Sequence, residues 1–128
     1  MKVPFKPEKY STVSPYLIVD GAAGTIDFLE RVFGAAEIRR FPDETGRILH
    51  AEVILDDTVI MLADGVEAWP PIQANVHVYV RDVDETYRRA LEAGAESVQD
   101  PVKKEDEDKR GGVKDDGGTT WWISTKLE

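Results

Sequence analysis

The chemistry available to this 128-residue chain rests on two histidines, because it has no cysteine. Disulfides, thiolate nucleophiles and cysteine-bound metals are therefore excluded. His50 and Glu52 lie two apart in "RILHAEVIL", a spacing that puts both on one face of a strand. An imidazole titrating near neutrality beside a carboxylate can take up and return protons. His77 lies in "NVHVYVRD", where Tyr79 shares its face. Near the end, "GGTTWWIST" sends Trp121 and Trp122 to opposite faces of one strand. One indole can enter a core, and the other must meet something else.

Composition narrows the function classes. The chain carries 16 basic and 25 acidic residues, a formal charge of −9 that argues against nucleic acid and anionic membrane partners. No apolar run approaches the ~20 residues of a spanning helix. The opening "MKVPFKPEKY" has no apolar segment behind its lysines and does not read as a signal peptide. A single domain, residues 1–128, of a cytoplasmic protein is the expectation, and a chain of this length buries roughly two thirds of its unfolded surface.

The elements that must position these side chains show themselves as a repeat. "PYLIVDGAAGTIDFLERVFGAAEI" and "VHVYVRDVDETYRRALEAGAESV" align at an offset of 61, with Tyr16 on His77, Val19 on Val80 and Thr25 on Thr86. Each begins as a strand and changes to helical spacing, through Ile26, Leu29 and Phe33 in the first copy and Val83, Tyr87, Ala90 and Leu91 in the second. Asp82 with Glu85 predicts a capping box, and Gly34 and Gly94 suit helix ends. "RILHAEVILDDTVIMLAD" and "RGGVKDDGGTTWWIST" each read as two strands about a turn, and the same offset pairs Met61 with Trp122. The fold class is α+β: two βαβββ modules, about 12–66 and 74–126, divided near "EAWPPIQ".

With "SPYLIVDGA", "GRILHAEV", "VHVYVRDVD" and "RGGVKDDGGTTWWIST" in this order, the chain resembles the vicinal-oxygen-chelate superfamily of glyoxalase I, bleomycin-resistance proteins and extradiol dioxygenases. Within it the chain is similar to the PhnB-like, glyoxalase-like subgroup, through its "DGA" helix start and "HAE" strand. It departs in its "DDGG" turn, where the subgroup has "DPFG", and in "KKEDEDKR", where the subgroup has an aromatic-rich loop.

The resemblance implies a curved mixed sheet with a concave cup and helices outside. Leu17, Val19, Val76, Val78, Val80, Ile60, Leu62 and Trp121 then face the helices, as does the set Leu49, Ala51, Val53 and Leu55. The cup receives His50, Glu52 and His77 as candidate acid–base residues, with Tyr16, Met61, Tyr79 and Trp122 as ligand-binding walls. The four metal-ligand positions of the metal-using relatives fall on Ser14, Met61, Asn75 and Trp122, a poor set for ions that prefer imidazole and carboxylate. No metal and no cofactor are expected; His50, Glu52 and His77 form the alternative ligand set.

The mixed-sign run "KKEDEDKR" reads as a solvated loop before the closing hairpin. Its functional version brings Lys109 or Arg110 over the cup mouth toward an anionic ligand, with Gly111 and Gly112 as hinge and Arg47 as mirror partner. The proline-rich start reads as an arm laid across this or a partner subunit, and the resemblance implies a homodimer. Three functions compete: a metal-free protein binding a small molecule against aromatic walls; a lyase, isomerase or dioxygenase, metal-dependent or using the histidines; and a dimer without a ligand. The non-coordinating residues favour the first.

Overall fold

A computed structural model describes residues 3–127. The first module comprises β1 (Tyr16–Val19), α1 (Ala22–Phe33), β2 (Ala36–Pro42), β3 (Ile48–Leu55) and β4 (Thr58–Asp64). The second repeats it as β5 (Ala74–Tyr79), α2 (Val83–Glu92), β6 (Glu96–Lys103), β7 (Asp108–Lys114) and β8 (Thr119–Lys126). The strands form two four-stranded mixed sheets of matching order, β1-β4-β3-β2 and β5-β8-β7-β6. In each, the first strand runs parallel to the fourth, and the other pairs are antiparallel. Among the described residues no helix is long and apolar enough to cross a membrane.

Each helix is fixed at its ends by the chemistry its ends require. Asp82 accepts from Glu85 N at 3.1 Å, as a helix N-cap should. The Glu85 side chain pairs with Arg88 instead of turning back, so half the capping box forms. Gly21 has no side chain to cap α1. Asp64, at the end of β4, takes the place of that cap, accepting from Ala22 N at 2.6 Å and Ile48 N at 2.7 Å. Both helices give way to left-handed glycines, Gly34 and Gly94.

One apolar core lies between the helices and both sheets. Leu17, Val19, Ala51, Val53, Ile60 and Leu62 enter it from the first sheet, and Val78, Trp121 and Ile123 from the second. Trp121 is fully buried beneath α1 of the other module, with ring centroids 6.5 Å from Phe28 and 5.7 Å from Phe33. Its indole N–H donates to Asp115 Oδ2 at 2.8 Å, while Asp115 Oδ1 accepts from Thr119 N. One backbone bond also joins the modules, Asp20 N to Gly117 O at 3.2 Å, and Ile72 N to Ile18 O at 3.0 Å ties the linker to β1.

Three local expectations change. Leu49 does not face the helices. The β2–β3 register passes from Phe41↔His50 to Pro42↔Ile48, leaving Leu49 as the extra residue of a bulge. Ile48 therefore takes the core position, and Leu49 is 56% exposed on the other face. "KKEDEDKR" does join β6 to the closing β7–β8 hairpin, but only 104–107 form the loop, and Lys103 and Asp108–Arg110 belong to the strands. Gly111 and Gly112 lie buried inside β7, where paired neighbours on both sides leave no hinge.

Replacing Trp121 by Phe removes the donor that satisfies buried Asp115 and part of the contact with α1. The expected loss of unfolding free energy is about 2–3 kcal/mol in urea titration, against less than about 1 for Trp122→Phe. Equal losses would contradict the assignment of Trp121 as the joint.

Candidate functional site

On the face of the first sheet away from the helices, His50 stands between two rings. Its centroid is 5.4 Å from Tyr16 on β1 and 6.3 Å from Phe41 on β2, the latter stacked. Nδ1 lies 3.0 Å from the Tyr16 hydroxyl, and Nε2 lies 2.8 Å from Glu52 Oε2. Two-residue alternation along β3 produces this pair, and the parallel β1–β4 register brings Tyr16 opposite Met61, itself opposite Glu52.

Glu52 is only 6% exposed, unusual for a carboxylate on an open sheet face. Tyr10, from the proline-rich arm, covers it and donates to Oε1, and Arg39 Nε approaches the same oxygen at 3.4 Å. The arm thus lies on its own chain at this point. Burial works to raise the carboxyl pKa of Glu52, but the hydrogen bonds from Tyr10 and His50 and the charge of Arg39 outweigh it, and the net shift is downward. The bond to Glu52 also raises the pKa of Tyr10, keeping that hydroxyl protonated.

Beside this chain of bonds lies a pocket of about 500 Å³. Tyr16 and Ile18 of β1, Leu49 of the bulge, and Val66, Trp69 and Ile72 of the inter-module loop line it. Trp69 is 72% exposed and is held by reciprocal backbone bonds with Val66 at 2.9 and 3.0 Å. Pro71 packs so closely on Gly65 that a Cβ there would lie 2.4 Å from the proline ring, which lets the loop turn back over the sheet. Of the ligand-binding walls expected from the sequence, Tyr16 lines this pocket, and Met61, Tyr79 and Trp122 do not. Leu49 was hidden by the bulge, and Trp69 and Ile72 by their position in a linker, although "AWPPI" combines stiff prolines with large apolar side chains.

The equivalent face of the second sheet is differently built. Trp122 lies flat over Gly112, where a Cβ would come within 2.7 Å of its ring, and its N–H donates to Asn75 Oδ1 at 3.0 Å. His77 packs edge-on to Tyr79 with centroids 4.6 Å apart. His77 Nε2 and Arg110 Nε meet at the buried Ser124 hydroxyl, at 2.9 and 2.8 Å. Arg110 also binds Asp106 and Asp108, and Tyr79 donates to Asp108 at 2.8 Å. Burial, then the charge of Arg110, lowers the His77 pKa despite the opposing Asp108 and Asp106, so the imidazole is neutral at neutral pH. The bond to Asp108 raises the Tyr79 pKa.

The candidate residues therefore divide. Tyr16, Met61, His50 and Glu52 share the first sheet, whereas His77, Tyr79, Trp122 and Arg110 share the second. Arg110 is committed to two carboxylates, Lys109 pairs with Asp84 at 2.9 Å, and Arg47 is an exposed residue of the β2–β3 turn. The structure does not join these basic residues at one mouth.

The inherited metal positions fit no ion. Trp122 has no lone pair to give and occupies Asn75, its neighbouring position, with a hydrogen bond. Ser14 and Met61 add a hydroxyl and a thioether. Among the described residues, no group of three or more His, Asp or Glu side chains is placed to hold a metal.

A sequence model of the Glyoxalase/Bleomycin resistance protein/Dioxygenase superfamily matches residues 11–123. An uncharacterized protein of Mycobacterium bovis is 35% identical over 123 aligned positions, covering 85% of this chain and 79% of that one. TioX from Micromonospora sp. ML1 superposes with a TM-score of 0.77 at 28% identity, covering 91% of this chain and 99% of that one. The PhnB protein from Bacillus cereus has the same fold, with a TM-score of 0.74 at 16% identity over 90% of this chain and 99% of its own.

Because the pKa of Glu52 is lower in the fold than in the unfolded chain, its charge stabilises the protein above the ordinary carboxylate range. That contribution disappears as pH falls through the lowered folded value. Glu52→Gln is expected to cost about 1–3 kcal/mol at neutral pH, and the gap to wild type should narrow on acidification to about pH 3, read by urea unfolding. A gap that stays constant would contradict a charged Glu52.

Proposed function

The chain belongs to the glyoxalase/bleomycin resistance protein/dioxygenase superfamily, and we propose that it is a metal-free binding protein for a small planar or aromatic molecule. The observation that carries this reading is the pocket between Tyr16, Leu49, Trp69 and Ile72, an apolar hollow of about 500 Å³ with aromatic walls on two sides. Such a volume and lining suit a small organic ligand. Stacking on the two rings adds about 0.5–1.5 kcal/mol per ring beyond burial. The donor chemistry of Ser14, Met61, Asn75 and Trp122 supports the metal-free part of the proposal.

The protein works in this reading as a cytoplasmic homodimer. Phe41, stacked on His50, is more than half exposed on an open sheet face, as expected of a surface that a second copy covers. Sedimentation at micromolar concentration should give twice the chain mass, and a monomer would remove this part of the proposal.

A second reading, acid–base catalysis without metal, is favoured by the Tyr16–His50–Glu52 chain of hydrogen bonds. His77 has no part in it, being engaged with Ser124 on the other sheet.

Calorimetric titration with 1-methoxynaphthalene, an uncharged aromatic probe, tests the binding reading. Saturable binding is expected, weakened at least about tenfold by Leu49→Asp, which puts a charge in the apolar wall. Binding unaffected by that change would place the ligand elsewhere.

A further inference from the structure

Hydrogen bonds beside the pocket set the polarity of Tyr16, which lines it. Glu52 is a buried carboxylate whose Oε1 already receives Tyr10 and Arg39, and Oε2 faces His50 Nε2 at 2.8 Å. A carboxylate only accepts, so the proton of a neutral His50 resides on Nε2. Nδ1 is then a bare lone pair, 3.0 Å from the Tyr16 hydroxyl. The Tyr16 proton is drawn onto His50, which leaves the phenol oxygen to present lone pairs at the pocket wall.

Two further polar side chains belong to the wall, Trp69 with an indole N–H donor and Asp64 with a carboxylate acceptor. Asp64, also on the wall, accepts from Ala22 N and Ile48 N and has only further acceptor capacity. Backbone N–H groups of three lining residues are spent within the protein: Val66 N on Trp69 O, Trp69 N on Val66 O, and Ile72 N on Ile18 O. Among the described residues, no basic side chain lines the pocket.

We propose that this pocket selects planar, non-anionic ligands carrying a hydroxyl or N–H donor, with Tyr16 as the accepting anchor and His50 and Glu52 as the residues that set its polarity. The proposal rests on the binding function described above and adds the ligand class. It reverses the expectation of an anionic ligand held by Arg47 and Arg110. An anchor whose own proton is committed elsewhere discriminates against analogues that lack a donor.

Three probes of equal ring size separate the possibilities: 1-naphthol, which has a donor; 1-methoxynaphthalene, which has none; and 1-naphthoate, an anion. Titrated at about pH 7.5, 1-naphthol should bind about tenfold more tightly than either of the others. Tyr16→Phe should remove most of that preference while leaving 1-methoxynaphthalene within about twofold of wild type. His50→Phe keeps the Tyr16 hydroxyl but frees its proton, so the naphthol-to-methoxynaphthalene ratio should fall toward one. That outcome would not follow from a merely structural role for His50. Equal affinity for naphthol and methoxynaphthalene, a preference for naphthoate, or a preference that survives Tyr16→Phe would overturn the proposal and leave the binding function standing. Failure of all three probes to bind would overturn the binding function itself.

Discussion

The structure depends on the seating of Trp121. This residue belongs to the second module, yet its ring packs under the helix of the first, and its one polar atom is satisfied by buried Asp115. Two amphipathic modules that each expose an apolar face gain a common core by this contact, and the resulting burial is the main source of their cohesion. The consequences spread outward along β8. Strand alternation forces Trp122 to the opposite face, and its ring requires the bare backbone of Gly112 beneath it. The inter-module loop lies against β1, where Ile72 N bonds to Ile18 O and Trp69 completes the pocket.

That arrangement explains what became of the superfamily's metal positions. Strands first and fourth in each module still present four side chains at corresponding places, but an indole and an amide bond to one another where coordinating groups would stand. The polar chemistry has moved to the adjacent strand, β3. There an internal carboxylate, an imidazole and a phenol form a line of hydrogen bonds from the N-terminal arm to the pocket wall. Burying Glu52 on an open sheet face would be costly unless its oxygens were satisfied, and Tyr10, Arg39 and His50 satisfy them. The arm is therefore part of the site's construction.

Much of this was readable in the sequence, for identifiable reasons. The 61-residue repeat carries the module order, because strand and helix periodicities are local properties that survive duplication. Parity along a strand correctly assigned Trp121 to the core and His50 with Glu52 to one face. Parity fails at a bulge, and the extra residue between Ile48 and His50 moved Leu49 from the core to the pocket. Trp69 and Ile72 lay in a segment without periodicity, so no pattern could connect them with Tyr16. Arg110 illustrates a third limit: charge and position suggested an anion contact, but only coordinates show Asp106, Asp108 and Ser124 already claiming its guanidinium.

The most direct test of a metal-free pocket for planar ligands is a crystal structure of the protein with 1-naphthol bound. The account predicts electron density for the fused rings between Tyr16, Leu49, Trp69 and Ile72, with the naphthol oxygen within hydrogen-bonding distance of the Tyr16 oxygen. Density against Trp122 and His77 on the second sheet, or an ion coordinated at Ser14, Met61 or Asn75, would contradict it.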